Sequence, residues 1–155
     1  MTPYQNELLR LIHHFEKKGV KYLVIGGFAT NKYGYHRFTG DIDFYLKDSA
    51  ENRERLVEAL DEAGYGRFDS LLTTQIVAGY CEIMMDGGMY ADFMTKIPGL
   101  EPEDFDKHFA MATIQKINDT TIRYIHYDHL IQNKKATGRP KDLLDVQELE
   151  RINKK

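Results

Sequence analysis

At 155 residues and 18.0 kDa, with 42% hydrophobic and 29% charged residues, the sequence fits one globular domain that buries roughly 70% of its unfolded surface. A single cysteine, Cys81, leaves no internal disulfide and points to a reducing compartment. The start, Met1-Thr2-Pro3-Tyr4, lacks the character of a signal peptide, and no apolar run reaches the roughly 20 residues of a membrane span, so the expected location is the cytoplasm, away from membranes. The 21 basic against 24 acidic residues give a net charge of −3, which argues against a protein that coats nucleic acid with positive charge.

In chain order, Leu8, Leu9, Leu11, Ile12 and Phe15 recur at helical spacing and predict a helix over 4–18, stopped by Gly19. Residues 21–25 are a short apolar run closed by Gly26-Gly27, which reads as a buried strand, followed by a short helix from Phe28 to Tyr33. Asp41 to Leu46 alternates polar and apolar residues and predicts a strand with two different faces. Ser49 caps a helix over 49–64 whose face is Leu56, Val57 and Leu60, with Gly64 at its end. Strands are expected over Thr74–Val77, Tyr80–Met85 and Met89–Ile97, the last two joined by a turn at Asp86-Gly87-Gly88. A loop with Pro98, Gly99 and Pro102 leads to a short helix at 103–110. A hairpin over 113–117 and 120–127 then turns at Asn118-Asp119. Helices over 129–136, capped by Asp128, and 141–152 are separated by Gly138-Arg139-Pro140. This order predicts an α/β or α+β fold with a mixed sheet flanked by helices.

Two residues contradict their setting. Asp is depleted in strands, yet Asp41 and Asp43 open one, and a period of 2 sets both carboxylates on the same face, roughly 6–7 Å apart. Such like charges repel unless solvent or a divalent cation neutralises them, and carboxylate oxygens suit Mg²⁺ or Mn²⁺. Gly26-Gly27 opens the preceding helix, where bare backbone N–H groups can approach a phosphate. Asp92, inside the apolar run Met89-Tyr-Ala-Asp-Phe-Met, is a third acid that an adjacent strand would bring to the same place. Turn chemistry suffices to explain Asp86.

Val24-Ile25-Gly26-Gly27, thirteen further residues, then Asp41-Ile42-Asp43-Phe44 and a later strand acid together resemble the signature of the DNA polymerase β-like nucleotidyltransferase superfamily. Arg37-Phe-Thr-Gly-Asp-Ile-Asp, with Arg37 and Thr39 before the first aspartate, is similar to its small bacterial branch of minimal and abortive-infection-type enzymes. So is Leu130-Ile-Gln-Asn-Lys-Lys-Ala-Thr-Gly-Arg-Pro-Lys-Asp-Leu-Leu-Asp, with an inward Lys134 ahead of a Gly-Arg-Pro-Lys-Asp turn. The likeness runs over about 21–148, and it implies one nucleotidyltransferase domain over 1–155 with C-terminal helices 128–152 packed on it.

The resemblance implies transfer of a nucleoside monophosphate from an NTP to a hydroxyl, with release of pyrophosphate and the help of two Mg²⁺ ions, or Mn²⁺. Asp41, Asp43 and Asp92 would be the catalytic and metal-binding residues, with Asp92 also helping to deprotonate the acceptor. Gly26 and Gly27 would hold the triphosphate, with Arg37, Thr39, Lys134 and Arg139 on the nucleotide side. Charge and reach make Arg37, Lys134, Arg139 and Lys141 candidates for phosphate contact, a solvated charged surface being the alternative and the favoured one for Lys141, whereas Asp142 reads as a helix cap or a partner of Arg139.

The acceptor stays open between a small molecule, an RNA end and a protein side chain, with residues 98–127 expected to meet it. A competing expectation is a non-catalytic or protein-modifying antitoxin or regulatory subunit, partnered by the other protein of a bacterial two-gene toxin–antitoxin or defence module. His13, His14, His126 and His129 lack a completing ligand set for zinc, and Tyr33 and Tyr35 read as core residues rather than a base platform.

Overall fold

In the computed structural model, which describes residues 3–154, the first helix α1 (Pro3–Lys18) buries the five apolar residues expected of it. Met1 and Thr2, where the segment read for a targeting signal begins, and Lys155 lie outside these described residues. Strand β1 (Tyr22–Ile25) is buried throughout and runs straight into α2 (Gly26–Lys32). That helix starts on the glycine pair itself, two residues earlier than the sequence suggests, because Gly26 at φ +65° turns the chain within one residue. Thr30 Oγ1 then donates to the Gly26 carbonyl at 2.9 Å.

Strand β2 (Asp41–Leu46) follows, then α3 (Ala50–Glu62), where Ser49 Oγ accepts from the Asn52 amide at 3.1 Å as a capping residue should. The buried Asn52 side chain also bonds the backbone of Lys21 and Lys47, tying the helix start to β1 and β2. A 3₁₀ turn at Asp69–Leu72 leads towards β3 (Glu82–Met84) and β4 (Tyr90–Met94). A second 3₁₀ turn, Pro102–Asp104, opens α4 (Phe105–Ala110), and β5 (Thr113–Ile117) and β6 (Thr120–Tyr124) form the expected hairpin. Its turn residues Asn118 and Asp119 both adopt positive φ, the backbone that a tight two-residue hairpin requires. The chain closes with α5 (Tyr127–Thr137) and α6 (Pro140–Ile152), the proline at the first turn where its missing N–H costs nothing.

The strands form one sheet in the order β3-β4-β2-β1-β6-β5. β2 is antiparallel to β1 and parallel to β4, while β1 is parallel to β6. This is the mixed sheet expected. Alternation divides the apolar residues between its two faces. Tyr22, Val24, Ile42, Phe44, Leu46 and Phe93 meet α1 and α3, whereas Leu23, Ile25, Tyr45 and Met94 meet Phe105 of α4, Leu130 of α5 and Leu149 of α6. Among the described residues no helix is long and apolar enough to cross a membrane.

Four local expectations are corrected. Thr74–Val77 is not a strand: Ile76 is buried, but its carbonyl takes only the amide and hydroxyl of Thr95, and Gly79 at φ +83° turns the chain before a ladder develops. The hairpin at Asp86-Gly87-Gly88 forms, closed by Met85 N–H on the Met89 carbonyl at 2.8 Å, but its regular strands are shorter than the apolar runs that suggested them. The run after Met94 is diverted at Pro98 and Gly99, where Ile97 pairs with Leu100 instead. At the start of α5 the cap is His126 rather than Asp128: its Nδ1 accepts from the Asp128 amide at 3.1 Å.

Candidate active site

Parallel pairing of β2 with β4 sets Asp43 directly beside Asp92 and Asp41 beside Tyr90, so the three acids share one sheet face. On that face the apolar lining gives way to carboxylates at the start of β2 and at Asp92 of β4, next to the Gly26 turn, because Ile25 pairs with Asp43. All three acids line a cavity of about 530 Å³, closed on its far side by Asn133, Lys134 and Thr137 of α5 and by Lys141. A second cavity of about 290 Å³ continues from it past Gly26, Gly27, Arg37, Phe38, Thr39 and Gly40. One cleft therefore gathers Gly26, Gly27, Arg37, Thr39, Asp41, Asp43, Asp92, Lys134 and Arg139 from five parts of the chain.

The glycines leave no room for side chains. A Cβ on Gly26 would collide with Asp43 Oδ2, and one on Gly27 would stand 2.5 Å from Thr39 Oγ1. Thr39 Oγ1 itself donates to the Asp41 carbonyl at 3.0 Å and holds the approach to β2.

Burial pushes the Asp43 carboxyl up to about 6, with Asp92 and then Asp41 adding like-charge repulsion that Lys141 and Lys134 only partly offset. Asp92 is also raised by burial, although both its oxygens accept from the Gly79 amide, at 3.1 and 3.0 Å. The acids thus form an electrostatically strained group beside bare backbone.

The basic residues have a different first role from the one their sequence positions suggest. Arg37 grips Asp145 with a two-pronged bond, Nε to Oδ1 and Nη2 to Oδ2, both 2.9 Å. Lys134, 4% exposed, donates to Asp145 Oδ2 at 2.8 Å and stands 3.8 Å from Asp142 Oδ1. Arg139 bonds Asp142 at 2.7 and 3.3 Å, the pairing foreseen as one of two roles for that acid. Burial alone would raise the Asp145 carboxyl, but Arg37 and Lys134 outweigh it and hold it below the usual range. Lys141 and Lys96 line the cleft with no ion pair among the described residues.

Sequence reasoning assigned no role to Asp145, although it closes the C-terminal motif, or to Phe38, an aromatic residue in a polar, glycine-containing approach to β2. Tyr33 is confirmed as structural: its hydroxyl bonds Thr113 Oγ1 at 2.8 Å and the Ile125 carbonyl at 2.6 Å, and its ring meets Tyr127. Tyr35 packs against the second apolar cluster. The histidines stay out of the cleft: His108 and His129 meet edge to face with ring centres 4.5 Å apart, and His14 bonds Glu62 at 3.1 Å.

Comparison with known proteins bears on the family and the fold. Residues 4–155 match the family described as nucleotidyl transferase of unknown function (DUF2204). The chain belongs to that family.

Its fold resembles that of the lincosamide antibiotic adenylyltransferase LnuA in its lincomycin-bound structure, at 18% identity and a TM-score of 0.61, covering 96% of this chain and 98% of the other. A candidate nucleotidyltransferase of Thermotoga maritima (TM1012) aligns at 19% identity and a TM-score of 0.62, covering 94% and 91% of the two chains. The antibiotic-resistance factor ANT(2'')-Ia aligns at 14% identity and 0.57, over 97% and 83%. No curated protein sequence matches the chain at a significant level. The family member therefore has the small nucleotidyltransferase fold expected from its motifs, and nucleotidyl transfer is the chemistry of its family.

Proposed function

We propose that this family member moves a nucleoside monophosphate from an NTP to a hydroxyl group with release of pyrophosphate, in a reaction that depends on Mg²⁺. The observation that carries this reading is the gathering of Asp41, Asp43 and Asp92 at the foot of a glycine-lined cleft, where burial and like charge raise the Asp43 carboxyl. A divalent cation would relieve that repulsion, and hard carboxylate oxygens are the donors that suit Mg²⁺ or Mn²⁺. Among the described residues no three acids or histidines stand ready as a closed metal-binding group, because Asp92 is turned onto the Gly79 amide. Asp41 and Asp43 fit as the first two ligands, and Asp92 joins them once it leaves Gly79.

When bound, the cation would supply charge neutralisation at the phosphates and activation of the attacking hydroxyl. The bare Gly26-Gly27 backbone admits the triphosphate, and Lys141, which makes no ion pair among the described residues, adds positive charge beside it. Arg37, Lys134 and Arg139 act mainly by keeping the cleft wall in place, since Asp145 and Asp142 already neutralise them. Attack of the acceptor oxygen on the α-phosphorus forms one P–O bond and breaks the α–β bridge. Pyrophosphate leaves, and the hydroxyl proton passes to Asp92, whose raised affinity for protons suits a base. The rest of catalysis is positioning and charge neutralisation.

For the acceptor we propose a small hydroxylated molecule. The cavity beside Asp92, about 530 Å³, has the size of a small-molecule site, and the lincomycin-bound adenylyltransferase covers nearly the same chain length.

The test is incubation of the purified chain with each α-³²P-labelled NTP, Mg²⁺ and a fractionated cell extract. Label in a small-molecule fraction, lost with Asp41→Asn or Asp43→Asn, is the expected outcome. Label confined to RNA or protein overturns the acceptor class, and no labelling by the parent chain overturns the activity.

A further inference from the structure

Phe38 is 90% exposed, the most exposed of the large apolar side chains described. A lone apolar side chain in water is ordinary on a protein surface. What sets this one apart is its place. It lines the cavity that holds Gly26, Gly27, Asp41 and Asp43, and it is the one aromatic residue among the described residues lining the cleft. The other strongly exposed aromatic residue, Tyr80, lines a separate cavity against Leu71 and Phe93.

The backbone that carries the ring is held on both sides. Arg37 N–H donates to Asn31 Oδ1 at 3.0 Å, and Arg37 Nη1 donates to the Phe38 carbonyl at 3.2 Å, while the same guanidinium is locked to Asp145. On the other side Thr39 Oγ1 is fixed to the Asp41 carbonyl. Beyond it, Gly40 presents no side chain, and a Cβ there would sit 3.8 Å from Phe38 Cε1. The ring also borders a further cavity lined by Phe28, Gly88 and Met89, so it stands as a wall between two open spaces.

We propose that the Phe38 ring is the platform on which the base of the nucleotide stacks. This rests on the reading of the cleft as an NTP site: phosphates lying against Gly26-Gly27 leave the base to project along the cavity that Phe38 borders. Every base has a π-face, so a stacking platform is tolerant of base identity. The neighbouring guanidinium of Arg37 is turned onto Asp145 and the Phe38 carbonyl, which commits three of its five N–H donors away from a base edge. The site therefore takes all four NTPs and ranks purines above pyrimidines by their larger stacking area.

The chain contains no tryptophan, so Phe38→Trp introduces a unique indole at the platform. Titration of that variant with ATP, GTP, CTP and UTP in Mg²⁺ buffer is expected to change indole fluorescence saturably, at affinities within about threefold of the parent chain measured by calorimetry. Phe38→Ala is expected to weaken NTP binding about 5- to 100-fold while leaving the affinity for inorganic tripolyphosphate within twofold. The ring is so exposed that neither variant should unfold, which a thermal melt verifies. Equal losses for NTP and tripolyphosphate, no loss for either, or no fluorescence change overturn the platform while leaving the NTP site standing. A parent chain that binds no NTP overturns the site and the platform together.

Discussion

Asp43 shows most directly how position alters chemistry. Its neighbours across the sheet, Ile25 on β1 and Asp92 on β4, bury it beside a like charge, and its carboxyl moves from an ordinary 3.8 to about 6. Between those values the folded chain keeps a proton that the unfolded chain has released, so stability falls as pH rises from about 4 to about 6 and stays lowered above. Asp43→Asn removes the charge with little change of shape. In metal-free buffer at pH 7.5 the variant is expected to be more stable than the parent by up to about 3 kcal/mol in urea unfolding. The difference should shrink steeply towards pH 4 and vanish about a unit below the ordinary value of 3.8, where both parent states are protonated. A gap that is absent at pH 7.5, or that persists unchanged at pH 4, contradicts the environment described for Asp43.

At the scale of elements, the cleft depends on how α5 and α6 are fastened to the turn before β2. Asp145, 1% exposed on α6, takes both Arg37 and the buried Lys134 of α5, and Asp142, 2% exposed, takes Arg139. Removing one partner of a buried ion pair strands the others, which costs about 3–5 kcal/mol, whereas replacing the whole group by apolar side chains is far less damaging. Asp145→Asn is accordingly expected to lose about 3–5 kcal/mol in denaturant unfolding. The double variant Asp145→Leu with Lys134→Met is expected to recover part of that loss. A loss below about 1 kcal/mol for the single change would mean that solvent, and not Asp145, satisfies Lys134 and Arg37.

At the scale of the whole molecule, the sheet order decides whether three acids make a site. β2 and β4 are separated in sequence by α3 and β3, yet they lie side by side and parallel, and this brings Asp92 to Asp43. If that assembly binds an NTP with Mg²⁺, ligand at about 100 times its dissociation constant adds about 2.7 kcal/mol of stability. For a chain of this length that is a rise of about 5–10 °C in Tm. The rise is expected to disappear with excess EDTA, to return with added Mg²⁺, and to be absent in Asp41→Asn. A rise that survives EDTA would separate nucleotide binding from the cation.

What could be read from the sequence is what local periodicity and backbone chemistry encode. The apolar faces of α1 and α3, the Ser49 cap, the turn at Asn118-Asp119 and the two-sided strand beginning Asp41-Ile42-Asp43 all follow from spacings of two to four residues. The glycine pair and the paired acids marked the place of the cleft for the same reason. Tertiary structure alone decided which strand lies beside β2, that Thr74–Val77 anchors a loop through Ile76, and that Asp92 rests on the Gly79 amide. It alone decided that Arg37 answers to an acid 108 positions away and that Phe38 is left in water at the cleft. These features depend on which distant segments win the competition to bury apolar surface and pair charge, and that competition is resolved only when the sheet and its helices are assembled.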